Sequence, residues 1–96
     1  MKELNVEQLK SRLDAGEKVV ILDVRRGDER DFHHIPDSLH IPLQELENRV
    51  EELEPYKNTE IIVYCRSGNR SAQACMYLEM MGFTHPVNLK GGMLLW

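Results

Sequence analysis

The chain has 96 residues, 42% hydrophobic and 29% charged, with a net charge of −4. That is enough for one domain, residues 1–96, with a single core, and the acidic balance argues against a general nucleic-acid binder, which presents a basic face. No apolar stretch reaches the length of a membrane span, and Met1-Lys2-Glu3-Leu4-Asn5 lacks a signal-peptide core, so a cytoplasmic protein is expected unless the chain was cut from a longer one.

Glu3 and Leu4 suit a short edge strand. Asn5 is an N-cap with Gln8 three residues on, a capping-box spacing. Val6, Leu9 and Leu13 then recur at helical spacing, and Gly16 closes that helix. Val19-Val20-Ile21-Leu22 is a continuous apolar run, the pattern of a strand covered on both faces. It delivers Asp23-Val24-Arg25 to the strand end where a parallel sheet usually presents site residues. The charged stretch from Arg26 to His34 reads as a loop with one helical turn around Glu29 to Phe32.

Leu39-His40-Ile41 predicts a short strand stopped by Pro42. Leu43, Leu46, Val50 and Leu53 mark one face of a helix that ends before Pro55. Glu45, Glu47, Glu51 and Glu52 lie mostly elsewhere on it; a solvated face is favoured there over a docking surface. Ile61-Ile62-Val63-Tyr64 predicts the central strand, and a helical pattern runs from Ala72 to Met81 with Ala74, Cys75, Leu78 and Met81 on one face and Gly82 as its cap. Val87-Asn88-Leu89 predicts a last strand, and Gly91-Gly92 a tight turn. The apolar ending Met93-Leu94-Leu95-Trp96 is unusual for a free terminus, which leaves a longer parent chain or a fused partner open. Strands alternating with helices give an α/β domain: three layers, with a central, mainly parallel sheet of about five strands flanked by helices.

Between the central strand and its helix lies Cys65-Arg66-Ser67-Gly68-Asn69-Arg70-Ser71. A buried strand that stops at a cysteine, turns through small and basic residues and starts a helix makes an anion cradle, because successive N–H groups point at one spot. A thiol at that spot loses its proton more readily, since only the thiolate gains those donors. A fall from ~8.5 to roughly 6.5 would make about three-quarters of it thiolate at pH 7, for about 2.7 kcal/mol. Cys65 is therefore expected to be a nucleophile, since the polar and basic residues after it suit no core. Cys75, on the apolar helix face, is expected to be a packed thiol, too far from Cys65 for a direct disulfide.

Arg70 is expected to close the loop and Gly68 to let its backbone turn. Arg66 either presents charge to an incoming anion or is a solvated surface residue. Ser67 and Ser71 either donate hydroxyls to the cradle or cap the helix, capping being the commoner use. Asp23 and Arg25 either brace the neighbouring strand end and the loop or form a purely structural ion pair. Two cysteines are too few for a disulfide framework, and His33, His34, His40 and His85 match no metal-ligand spacing, so no metal is expected.

At these residues the chain resembles the rhodanese (sulfurtransferase) family. Cys65 to Arg70 has the Cys-x4-Arg form of that family's active-site loop. Asp23-Val24-Arg25, His34-Ile35-Pro36, Ile41-Pro42-Leu43 and Leu89-Lys90-Gly91-Gly92-Met93 ending at Trp96 extend the likeness in family order. The family usually has Gly at His33 and Gly-Ala at Asp37-Ser38, so these positions bear on the shape of the site entrance and on substrate preference.

The resemblance implies a sulfurtransferase: Cys65 takes the sulfane sulfur of a small anionic donor such as thiosulfate as a persulfide and passes it to a thiol or cyanide, without a cofactor. A persulfide carrier or regulatory module acting with a protein donor or acceptor is the alternative from another class. Cysteine-dependent phosphatases need a wider Cys-x5-Arg ring. That rival, and an arsenate reductase, stand further off.

Overall fold

The computed structural model describes residues 1–96. Five strands, β1 (Lys2–Asn5), β2 (Val20–Asp23), β3 (Leu39–His40), β4 (Glu60–Tyr64) and β5 (His85–Lys90), form one sheet in the order β1-β5-β4-β2-β3. Every pairing is parallel, so each connection must cross back over a face of the sheet. The crossings carry α1 (Val6–Asp14), α2 (Gly27–Phe32), α3 (Leu43–Arg49) and α4 (Asn69–Met80); α5 (Gly92–Leu95) follows the last strand. No helix is long and apolar enough to cross a membrane.

The alternation of side chains along β4 makes the three layers. Ile61, Val63 and Cys65 face a cluster with Leu46 and Leu53 and with Ala74, Cys75 and Leu78 of α4. Ile62 and Tyr64 face the other way, onto Val6 and Leu9 of α1 and onto Met93 and Trp96. All four residues from Ile61 to Tyr64 are fully buried, which is why the run shows no polar alternation. At roughly 1.5–3 kcal/mol for each large apolar side chain, these two interfaces supply the driving force for the fold.

The predicted capping box holds. Asn5 Oδ1 accepts from the Gln8 N–H at 2.7 Å, and Gln8 Oε1 accepts from the Asn5 N–H at 2.9 Å. Gly16, at φ 79°, ends α1. Three elements differ from expectation. The stretch after Arg26 is a six-residue helix, α2, rather than one turn in a loop. The helix beginning at Leu43 is α-helical only to Arg49, then tightens into a 3-10 stretch, Val50–Tyr56, with Pro55 inside it. Proline has no N–H to continue an α-helical ladder, so the α-helix does not run on through it, while Leu46 and Leu53 both stay buried. Of the acidic residues there, Glu45 and Glu52 pair with Arg49, and all four glutamates face solvent.

The third difference is at α4. It starts at Asn69, three residues before the predicted Ala72, and Met81 lies just beyond its end, 44% exposed. Gly82, at φ 90°, reverses the chain; its N–H bonds the Glu79 carbonyl, and the Phe83 N–H bonds that of Leu78 at 3.0 Å. This is a Schellman ending, and it puts Phe83 into the core place predicted for Met81.

Candidate active site

The site assembles where β2, β4 and β5 end on one edge of the sheet. β4 releases Cys65 directly into the turn that begins α4, and Gly68, at φ 110°, makes that turn. A side chain at this φ would be strained, although a Cβ there would meet Gly91 and Asn88 only at ordinary contact distance. The result curls the loop around the sulfur. The Gly68 N–H donates to Cys65 Sγ at 3.1 Å, and Ser71 Oγ lies 3.4 Å from the same atom.

Burial is the largest influence on the Cys65 thiol and opposes ionisation. The Ser71 hydroxyl and the N–H groups of Ser71, Gly68 and Ser67 together outweigh it, holding the thiol below its usual value. Cys75 lies in the same apolar cluster without such donors. Burial, aided by the nearby Glu79 charge, pushes its thiol up to about 12. Both thiols are free.

The loop is held from three sides. From behind, the Met93 N–H bonds the Cys65 carbonyl and the Leu94 N–H bonds the Arg66 carbonyl, each at 3.0 Å. These bonds turn the loop's carbonyls outward, so its own N–H groups face the sulfur. Gly92 makes the approach possible: a Cβ there would lie 2.4 Å from the Cys65 carbonyl oxygen and 2.7 Å from that of Arg66. From β5, Asn88 Nδ2 donates to the Gly68 carbonyl, and Asn88 Oδ1 accepts from the Ser71 hydroxyl. From α2, Glu29 takes both terminal nitrogens of Arg70, at 2.7 and 2.9 Å, in the bidentate form that fixes a guanidinium in place.

Arg70 is thus bound to α2 through Glu29, a residue with no site signal in the sequence. Arg66 is exposed, and it is the one arginine of the seven without a carboxylate partner. Ser67 and Asn69 are exposed on the rim, whereas Ser71 is fully buried beside the sulfur.

Asp23 and Arg25 form the structural ion pair. Asp23, fully buried, accepts from Arg25 Nε and Nη2, from Arg30 and from the Tyr64 hydroxyl. Arg25 Nη2 also donates to the His33 carbonyl at 2.7 Å. These bonds anchor α2 and the segment after it to the sheet; neither side chain is hydrogen-bonded to residues 65–71. Their bracing reaches the loop only through α2 and Glu29.

A cleft of about 260 Å³ opens beside the loop, lined by Phe32 and His33, by Met93 and Leu94, and by Arg66. Of the three positions expected to shape the entrance, only His33 lines this cleft. Asp37 and Ser38 lie away from it: Asp37 turns the chain at φ 63°, and the Ser38 hydroxyl donates to the Ile35 carbonyl at 2.7 Å. Glu29, Phe32, Asn88, Gly92 and Leu94 thus join the site. Gly92 left a mark in sequence, in the Gly91-Gly92 turn, and Asn88 another, as a lone polar residue inside the apolar Val87-Asn88-Leu89.

Residues 5–96 match the Rhodanese-like domain. A sulfurtransferase of Allochromatium vinosum is 38% identical over 94 residues, covering 98% of this chain and 86% of that protein. A Bacillus subtilis protein named as a candidate sulfur carrier is 40% identical, over 98% of this chain and 50% of its own length. The crystal structure of a rhodanese-like domain protein from Staphylococcus aureus superposes with a TM-score of 0.92 at 33% identity, covering 100% of this chain and 91% of that one. The chain belongs to the rhodanese-like domain family of sulfurtransferases and sulfur carriers.

Proposed function

We propose that this protein is a sulfurtransferase in which Cys65 carries the transferred sulfur as a persulfide. The observation that carries the reading is the cradle: a thiol ringed by inward N–H groups and held below its usual pKa. The Cys65 thiolate attacks the outer sulfur of thiosulfate; the Sγ–S bond forms as the S–S bond of the donor breaks, and sulfite leaves with the bonding pair. The negative charge then rests on the outer persulfide sulfur, beside the same donors. A thiolate or cyanide attacks that sulfur in the second half-reaction and returns Cys65 as thiolate. The transferred atom rides on the protein, so the cycle needs no cofactor.

Arg66 has no carboxylate to neutralise it, which suits recruitment of a dianion. Arg70 is engaged by Glu29, and Asp37 lies outside the cleft, so a phosphatase would lack both its phosphoryl clamp and its acid. A protein sulfur donor or acceptor is favoured by a separate observation: Phe32, 93% exposed, and Leu94, 57% exposed, both line the cleft. A small inorganic anion makes no use of such side chains, whereas a partner surface does.

Steady-state transfer from thiosulfate to cyanide tests the reading. Parallel double-reciprocal lines, lost in Cys65→Ala, are expected. Absence of turnover with thiosulfate, and also with a protein persulfide as donor, would contradict it.

A further inference from the structure

Asn88 lies within β5 and is 4% exposed. Its Nδ2 donates to the Gly68 carbonyl at 3.2 Å, and that bond fixes the amide. Turned over, Oδ1 would face a carbonyl oxygen, two acceptors in contact. Oδ1 therefore faces Ser71 Oγ, at 2.5 Å, and an amide oxygen only accepts, so Ser71 must donate. A hydroxyl has one proton. Ser71 Oγ is also 3.4 Å from Cys65 Sγ, to which it can then offer only a lone pair. That arrangement suits an S–H donor. It does not suit a thiolate.

We propose that Asn88 is a positioning residue that draws the Ser71 hydroxyl away from Cys65 until the thiol ionises, which gives the hydroxyl two stations, Asn88 Oδ1 and Cys65 Sγ. The proposal rests on Cys65 being the nucleophile. In the resting state S–H donates to Ser71 Oγ and Ser71 donates to Asn88. When the proton leaves to a solvent base, the hydroxyl turns to Sγ and adds a donor to those of the Ser67, Gly68 and Ser71 N–H groups. Once the S–S bond of the persulfide has formed, the charge sits on the outer sulfur and the hydroxyl returns to Asn88. Only a hydrogen moves.

Other charged groups around the sulfur are Arg66 in the loop and Arg70 of α4, the latter paired with Glu29 of α2. Cys75 of α4 is a neutral thiol, and α5 contributes only Met93 and Leu94 nearby. None of these side chains bonds Asn88 or Ser71, so a change at Asn88 acts through the hydroxyl and the Gly68 contact alone.

The test is the pH dependence of Cys65 alkylation by iodoacetamide in the full chain, for wild type, Asn88→Ala, Ser71→Ala and the double variant. No sulfur donor is present, so thiol ionisation is read apart from transfer. Asn88→Ala frees the hydroxyl for the thiolate and lowers the alkylation pKa by about half to one unit. Ser71→Ala raises it, and on that background Asn88→Ala produces no lowering. An equal shift in both backgrounds, or no lowering with Ser71 present, overturns the proposal. If Asn88→Ala does not fold, Asn88→Asp keeps the shape and retains the hydroxyl. Its pKa rise must then be larger with Ser71 than without, and an equal or smaller rise is the contrary result. Failure of the sulfurtransferase reading would appear separately, as no cyanide-labile sulfur beside an intact pattern of pKa shifts.

Discussion

Cys65 and Cys75 share one apolar cluster and are both almost wholly buried, yet their surroundings drive their thiols in opposite directions. Hydrogen-bond donors decide the difference, since burial raises both. Iodoacetamide at pH 7.5 should therefore modify Cys65 alone in the folded protein and reach Cys75 only after unfolding, as read by peptide mass mapping. Persulfide formation should fall on the acid side, with a midpoint below that of an ordinary thiol, because the thiolate is the reactive form and its pKa is lowered. Arg66→Ala should raise KM for thiosulfate about tenfold with kcat nearly unchanged, as befits a group that attracts the donor without touching the reacting bond. Cys65 was legible because no core tolerates the polar and basic residues that follow it. The state of Arg70 was not, since which carboxylate meets a guanidinium depends on how α2 folds back over the loop.

At the scale of elements, the loop's shape is imposed by the pieces packed around it. Gly92 lets α5 bond the Cys65 and Arg66 carbonyls, so Gly92→Ala should cost at least about 2 kcal/mol in chemical denaturation and suppress transfer, its Cβ meeting backbone that cannot give way. Glu29→Gln should loosen Arg70, lower stability by about 1 kcal/mol and reduce transfer, the cost being modest because Arg70 is partly open to water. The sign with pH follows from the carboxyl. Chiefly through its hydrogen bonds to Arg70, Glu29 is held at about 2, below its unfolded value. The pair's contribution is thus complete above the unfolded value of ~4.3 and is lost as pH falls through about 2. Acid titration of the wild type and Glu29→Gln should converge in that window. Helix patterns had revealed α1 and most of α4, whose caps and apolar spacing are local. They gave only one turn of α2, whose anchors are Arg25 and Arg30 on a buried Asp23, contacts between residues far too polar to register as a periodic face.

Across the whole molecule, a five-stranded parallel sheet covered by helices on both faces brings β2, β4 and β5 to one edge, and the chain's chemistry gathers there. The layer order was readable from apolar runs and their connections. The cleft was not, because Phe32 of α2 and Leu94 of α5 are far apart in sequence and line one cleft only once the sheet has assembled. The central claim is that Cys65 carries sulfur, and intact mass after thiosulfate treatment tests it most directly, with Cys65→Ala and Cys75→Ala in parallel. The account predicts a gain of about 32 Da that cyanide removes, present in the wild type and Cys75→Ala and absent from Cys65→Ala. A cyanide-labile gain that survives in Cys65→Ala, or none in any protein from either thiosulfate or a protein persulfide, would contradict it.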